Sequence, residues 1–335
     1  MSYPGPRARA VILKICLAGL IACASFAGRA ESLQATQPLQ AGLDALAKRA
    51  RPATFGIEVR DLRTGKSWGV NAGKPLPMMS VFKAPVAAAV LAKADNGEIS
   101  LDQPVSITRK DLRGGASRIA RNFRGDSMTF TVRQLLEDMV SQSDNTAADR
   151  LIALIGGPQA VTQFLRLKGI EGMRVDLDEG GVEHVFSGLG DASGPPVNET
   201  RSAREARLRK GMEAFLADPR NRSTPETAAD FLQKLWQGKL LSPASAKRLL
   251  DLMYGQTVPV RLRAGLPAGV RLADKCGTSV TRGGITGAFN DIGVLTWPDG
   301  HTVIVAAFLS GSRASREERT KLFADLARMV AARFP

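Results

Sequence analysis

The chain is poor in the two residues most used for nucleophilic and metal chemistry: of 335 residues, three are cysteine and two are histidine. His184 and His301 alone argue against a Cys/His zinc cluster and leave few partners for a Ser-His-Asp triad. Nucleophilic chemistry here calls for a base other than histidine. Aromatic residues are also scarce, at 5%, which makes a base-stacking platform for nucleic acid unpromising. Acidic residues are outnumbered, 32 against 46 Lys and Arg, for a net charge of +14. Arg7, Arg9, Lys14 and Arg29 fall in the first 30 residues, where there is no acid, so +10 of the +14 belongs to the remainder. No zinc-finger spacing, Lys/Arg block or aromatic-basic stripe accompanies this charge. No nucleic-acid partner is expected, and the surplus reads as a basic solvated surface.

Long apolar runs are lacking too. Ile15 to Phe26 is too short to span a bilayer comfortably. Arg7, Arg9 and Lys14 precede it, and the small residues Ala27 and Ala30 follow. Residues 1–30 therefore read as a secretory signal, and an exported, periplasmic protein is expected. An N-terminal anchor helix is one competing reading. Another is lipid anchoring, because Leu20-Ile21-Ala22-Cys23 resembles a lipobox that would lipidate Cys23. Cleavage after Ala27 or Ala30 leaves Cys276 as the lone cysteine, so no internal disulfide is expected.

What is present suits a soluble globular protein. Hydrophobic residues make up 44% and charged residues 23%, enough to bury a core without staples. Residues 54–71 alternate as a β-hairpin, with Phe55, Ile57 and Val59 on one face and a turn at Thr64-Gly65. A second strand pair lies around 292–295 and 303–308, followed by a helix carrying Leu322, Phe323, Leu326, Met329 and Val330. The middle reads as helical: an apolar helix from Ala84 to Lys93, a capping box at Thr131/Gln134, a helix opened by Pro158, another near Thr227–Trp236. The expected fold is α/β (α+β), an antiparallel sheet flanked by helices and built from both chain ends. Residues 31–79 and 258–335 would form it, with an all-α domain, 80–257, inserted between. Residues 187–222, rich in Gly, Pro, Arg and Glu, read as an insertion, part loop and part short helix.

Three short motifs carry chemistry. In Ser80-Val81-Phe82-Lys83, residues three apart share a helix face, so the lysine amine can reach the serine hydroxyl. A serine hydroxyl needs a base, and a buried lysine can serve because desolvation favours the neutral amine. Taken alone, the motif fits an N-cap serine with a surface lysine better. Ser143-Asp144-Asn145 and Lys275-Cys276-Gly277-Thr278 are as weak singly. Together, spaced 63 and 132 residues apart, they form one set.

That set resembles class A β-lactamases, and the resemblance covers most of residues 40–335. Leu76 to Lys83 is similar to the approach to the family nucleophile, and Gly265 to Lys275 to the approach to its third motif. The resemblance implies that Ser80 is the nucleophile and Lys83 its proton partner. Ser143 would shuttle the proton to the leaving nitrogen, and Asn145 would hold the substrate side-chain amide. Lys275, Gly277 and Thr278, with Cys276 in the hydroxyl position, would bind the substrate carboxylate, helped by Arg261; Arg263 is nearby, and a structural role fits either arginine as well. The N–H groups of Ser80 and Thr278 would form the oxyanion hole. Asp144 would be structural.

The family's deacylating glutamate lies ten or so residues after a Gly-Ile pair. Here Gly169-Ile170 places it at Glu179, with Glu183 and Asp178 as competing candidates. Glu183 stands where an amide is usual, and two close carboxylates would raise one another's pKa. The resemblance implies a monomer that takes a small-molecule β-lactam, with no metal or organic cofactor. Two rivals share its residues: a D-alanyl-D-alanine carboxypeptidase, and a non-catalytic cell-wall binding protein of the same fold.

Overall fold

The computed structural model describes residue 1 and residues 37–334 except 193, 259 and 260. Residues 2–30 of the expected secretory signal, with Ala27, Ala30 and Cys23, lie outside the described residues. No helix among the described residues is long and apolar enough to cross a membrane.

The chain opens with α1 (Gln37–Arg49), β1 (Thr54–Asp61), β2 (Ser67–Val70) and β3 (Leu76–Pro77). A 3-10 turn, Met79–Phe82, runs straight into α2 (Lys83–Asp95). Next come β4 (Pro104–Thr108), α3 (Arg118–Asn122), β5 (Ser127–Thr131), α4 (Val132–Ser141), α5 (Asn145–Leu154) and α6 (Pro158–Leu167). Then follow α7 (Glu179–Ser187), α8 (Arg201–Ala217), β6 (Arg222–Ser223), α9 (Pro225–Trp236) and α10 (Pro243–Tyr254). The chain closes with β7 (Arg271–Thr278), β8 (Thr281–Arg282), β9 (Ile285–Thr296), β10 (Thr302–Ser312) and α11 (Arg316–Arg333).

The main sheet is antiparallel, in the order β2-β1-β10-β9-β7, with β8 paired to β9. Both chain ends build it, as the terminal strand patterns imply. One face packs Phe55, Ile57, Val59, Val303 and Val305 against α1 and α11. The other shares a single core with the helical centre, where Ile292, Ile304 and Phe308 meet residues of α2, α4 and α9. α2 is buried from Lys83 to Leu91, as an Ala-rich helix without a polar face must be.

Two features depart from the sequence reading. The inserted region is not wholly helical: β4 and β5 pair as a hairpin. Val105 and Ile107 alternate inward there, too short a pattern to stand out. And α8, within 187–222, is a 17-residue helix rather than a short one. Its charged sequence hides its stripe, because only Gly211, Met212 and Phe215 are buried. Met212 and Phe215 join Val182, Phe186 and Ala288 in a separate small core. Arg222 donates to the Phe215 and Leu216 carbonyls at 3.0 and 2.7 Å, closing the end of α8.

Candidate active site

The first two motifs sit at element boundaries, and the third forms the last half of β7, paired in the ladder with β9. Met79 opens the 3-10 turn with a left-handed φ of 46°, and Ser80 is the next residue of that turn. The Asn290 amide anchors that turn, donating to the Pro77 and Met78 carbonyls at 2.7 and 2.9 Å. Gly277 of β7 passes alongside: a Cβ there would stand 2.5 Å from the Met78 carbonyl oxygen and 3.1 Å from Ser80 N. Only glycine allows this approach, which brings the end of β7 beside the Ser80 backbone.

Ser143 takes φ 58° between α4 and α5. Its neighbour Asp144 is fully buried and caps α5, accepting from Ala147 N at 2.9 Å. Asp144 also accepts from Ser117 Oγ at 3.0 Å and Ile119 N at 2.9 Å. Fixing Asp144 fixes Ser143 and Asn145 on either side.

Lys83 is fully buried; its Nζ donates to Asn145 Oδ1 at 2.6 Å and the Ser143 carbonyl at 2.7 Å, and it forms an ion pair with Glu179 Oε1 at 2.8 Å. An ammonium has three donors and no acceptor, so this cage matches a lysine–carboxylate ion pair. Lys275 Nζ donates to Ser143 Oγ at 3.0 Å. Burial pushes Lys275 down to about 8, and the nearby Lys83 charge acts in the same direction. Thus Lys83, Ser143, Asn145, Glu179 and Lys275 form one connected network.

Arg261 is buried, donates to the Asn290 carbonyl at 2.5 Å and bonds the Thr278 hydroxyl. Arg263 instead pairs with Asp274 at 2.7 Å, so of the two arginines it is Arg261 that reaches Thr278. Cys276 is a buried free thiol in β7. Ser80, Asn145, Glu179 and Thr278 line a cleft of about 430 Å³.

The three candidate carboxylates separate clearly. Asp178 caps α7, accepting from Gly181 N at 2.7 Å. Glu183, one turn beyond Glu179, is exposed and lies against Gly114. Glu179 alone of the three is buried against Lys83.

Sequence reasoning missed Asp149. It sits one turn along α5 from Asn145 and accepts from Glu179 N at 2.7 Å and Gly180 N at 3.1 Å. It holds the first turn of α7, and Arg113 binds it at 2.5 Å. A buried acid on an otherwise apolar helix stretch, beside Ala147, Ala148, Leu151 and Ile152, was the available signal. Burial, then the Asp178 charge, lifts Asp149 to about 6 despite these donors. Its folded pKa exceeds the unfolded one, so the native state holds the extra proton between about pH 4 and 6 and stability falls as pH rises through that window. At neutral pH the cost is about 3 kcal/mol. In Asp149→Asn that pH dependence disappears. Melting temperatures at pH 4.5 and 7 should show the parent losing several degrees relative to the variant; an offset independent of pH would remove Asp149 from the account.

The chain matches the model of the β-lactamase enzyme family over residues 38–334. It is 32% identical to the extended-spectrum β-lactamase PER-1 of Pseudomonas aeruginosa, across 83% of this chain and 81% of that protein. It is also 32% identical to β-lactamase L2 of Stenotrophomonas maltophilia, across 94% of each. Among solved structures, a β-lactamase from Chitinophaga pinensis superimposes with a TM-score of 0.74 at 31% identity, covering 88% of this chain and 98% of that one. The class A β-lactamase of the last common ancestor of Gram-negative bacteria gives 0.72 at 35% identity, covering 89% and 99%. Sequence and fold agree that the chain belongs to the β-lactamase enzyme family, in its class A serine branch.

Proposed function

We propose that the protein is an exported β-lactamase that hydrolyses the lactam amide through an ester on Ser80, with Glu179 activating the deacylating water. The observation that carries this reading is the cage around Lys83, which joins the Ser143 and Asn145 motif to Glu179.

Lys83 starts as an ammonium paired with the Glu179 carboxylate. It passes a proton to Glu179 across the 2.8 Å contact, and the neutral amine then takes the proton of Ser80. The Ser80 oxygen attacks the lactam carbonyl carbon. The N–H groups of Ser80 and Thr278 stabilise the oxyanion, with Gly277 allowing the close approach. As the C–N bond breaks, Ser143 gives its proton to the lactam nitrogen and is reprotonated from the Lys83 ammonium, and Glu179 then returns its proton to Lys83. Glu179, again a carboxylate, deprotonates a water that attacks the ester. Ser80 leaves with that proton. The net change is addition of one water.

Asn145 would orient the acyl side chain, and Lys275, Thr278 and Arg261 the ring carboxylate. Lys275 loses its charge as pH rises through about 8. KM for a simple penicillin should therefore rise between pH 7 and 9, more steeply than kcat falls. A KM flat across that range would take Lys275 out of carboxylate binding.

Intact mass of the mature protein, followed over time with benzylpenicillin alongside released product, tests the whole reading. Rapid product with little standing adduct is expected. A lasting adduct on the parent would move the assignment to a penicillin-binding carboxypeptidase, and neither adduct nor product to a non-catalytic binding protein.

A further inference from the structure

The inserted helix α8 forms the outer wall of the cleft that holds Ser80. Exposure along the lining rises from buried Glu179, through half-buried Leu189 and Leu208, to exposed Arg204 on α8 and Arg282 on β8. The two elements are held together: the Arg209 stem of α8 lies over Gly283, where a Cβ would be 3.3 Å from it.

The charges on this lining are unequally employed. Glu179 is bound by Lys83. Arg207 is bound by Glu199 through two contacts of 2.7 Å. Glu199 is near enough to feel the Arg204 charge, but both its oxygens are taken. Among the described residues, neither Arg204 nor Arg282 has an ion-pair partner. Glu183 stands against Gly114, on a different segment of the wall. The cleft thus offers an apolar stretch ending in two unpaired guanidinium groups, which bind carboxylates by paired N–H donors.

Every β-lactam of the penicillin type already brings a ring carboxylate, and Lys275, Thr278 and Arg261 account for it. A second cationic site at the acyl end addresses a second anion. Resting on the function proposed above, we propose that Arg204 and Arg282 form a subsite for β-lactams whose acyl side chain is apolar and ends in a carboxylate.

The test uses two penicillins with the same four-methylene acyl arm, one ending in a carboxylate (adipoyl) and one in its primary carboxamide. The ratio of their kcat/KM values is measured for the parent, for Arg204→Gln/Arg282→Gln and for the double Arg→Lys variant. The ratio should favour the carboxylate in the parent and fall about tenfold in the double glutamine variant, through KM. The lysine variant should recover much of it, and rising salt should erode the preference. Both residues are exposed, and an unchanged Tm verifies folding. An unmoved ratio overturns the subsite. So does equal loss on both substrates, which would make the arginines a steering field for the shared ring carboxylate. If the parent hydrolyses neither penicillin, the proposed function itself fails; turnover of both with an unmoved ratio removes the subsite alone.

Discussion

Glu179→Gln should take up one penicillin and keep it: the mass of the protein rises by that of the substrate while product stays below one per enzyme. The glutamine retains the shape of the side chain and removes its charge. Lys83 then loses its counter-ion but keeps Ser143 and Asn145 as partners. A buried amine without a counter-ion is free to stay neutral and accept the Ser80 proton, so acylation survives. Deacylation does not, because an amide cannot take a proton from water. Loss of a positioned base costs roughly 10²–10⁴-fold in turnover. Quenched-flow product analysis with mass detection of the adduct separates the two steps. Turnover near the parent rate would move the base to Glu183 or Asp178, which the matching Glu183→Gln and Asp178→Asn variants would identify. Absence of any adduct would place Glu179 in the first step as well.

Phe215→Ala should slow the second step from a distance. Phe215 is 8% exposed and stacks on Phe186, ring centroids 4.1 Å apart, at the far end of the helix that Glu179 begins. Removing a buried phenyl ring costs about 3–5 kcal/mol, and this small core has few other contacts to absorb the loss. The cost falls locally, so α8 should separate from α7 well before the sheet or the helical centre unfolds. Three readouts follow together: adduct accumulating during turnover, protease cleavage within 187–222, and a main thermal transition that barely moves. Gly211→Ala should do the same by another route, because its Cβ would stand 2.3 Å from the Phe186 carbonyl oxygen. Cleavage of the insertion with unchanged kcat would show that α7 holds Glu179 without help.

The local signals in the sequence were dependable where the physics is local. Thr131 and Gln134 form the reciprocal capping box their spacing implies, at 2.8 and 3.2 Å. Pro158 opens α6 and Gly169 follows its end. The three motifs, each an ordinary cap or turn alone, stood out only through their joint resemblance to the class A family, and the same resemblance pointed to Glu179 by its distance from Gly169-Ile170. Partners set by tertiary packing were not legible. Nothing near Asn290 announces its bonds to carbonyls 213 and 212 positions earlier. Asp149 needs α5 and α7 to be in contact before its purpose is visible. α8 escaped because a mostly exposed helix has little apolar periodicity to read.

The pairing of β1 with β10 also has a consequence in time. Thr54 lies opposite Ser310 and Asp61 opposite Val303, so one of the first strands synthesised waits for one of the last. Until then Phe55, Ile57 and Val59 have no neighbour on that edge. Closing so long a loop is slow, and contacts of this sequence separation delay folding. The nascent chain therefore leaves the ribosome with its sheet incomplete, pliable enough to be threaded or captured by a chaperone. A product truncated before residue 302 would carry all three motifs and lack the strand that joins β1 to β9.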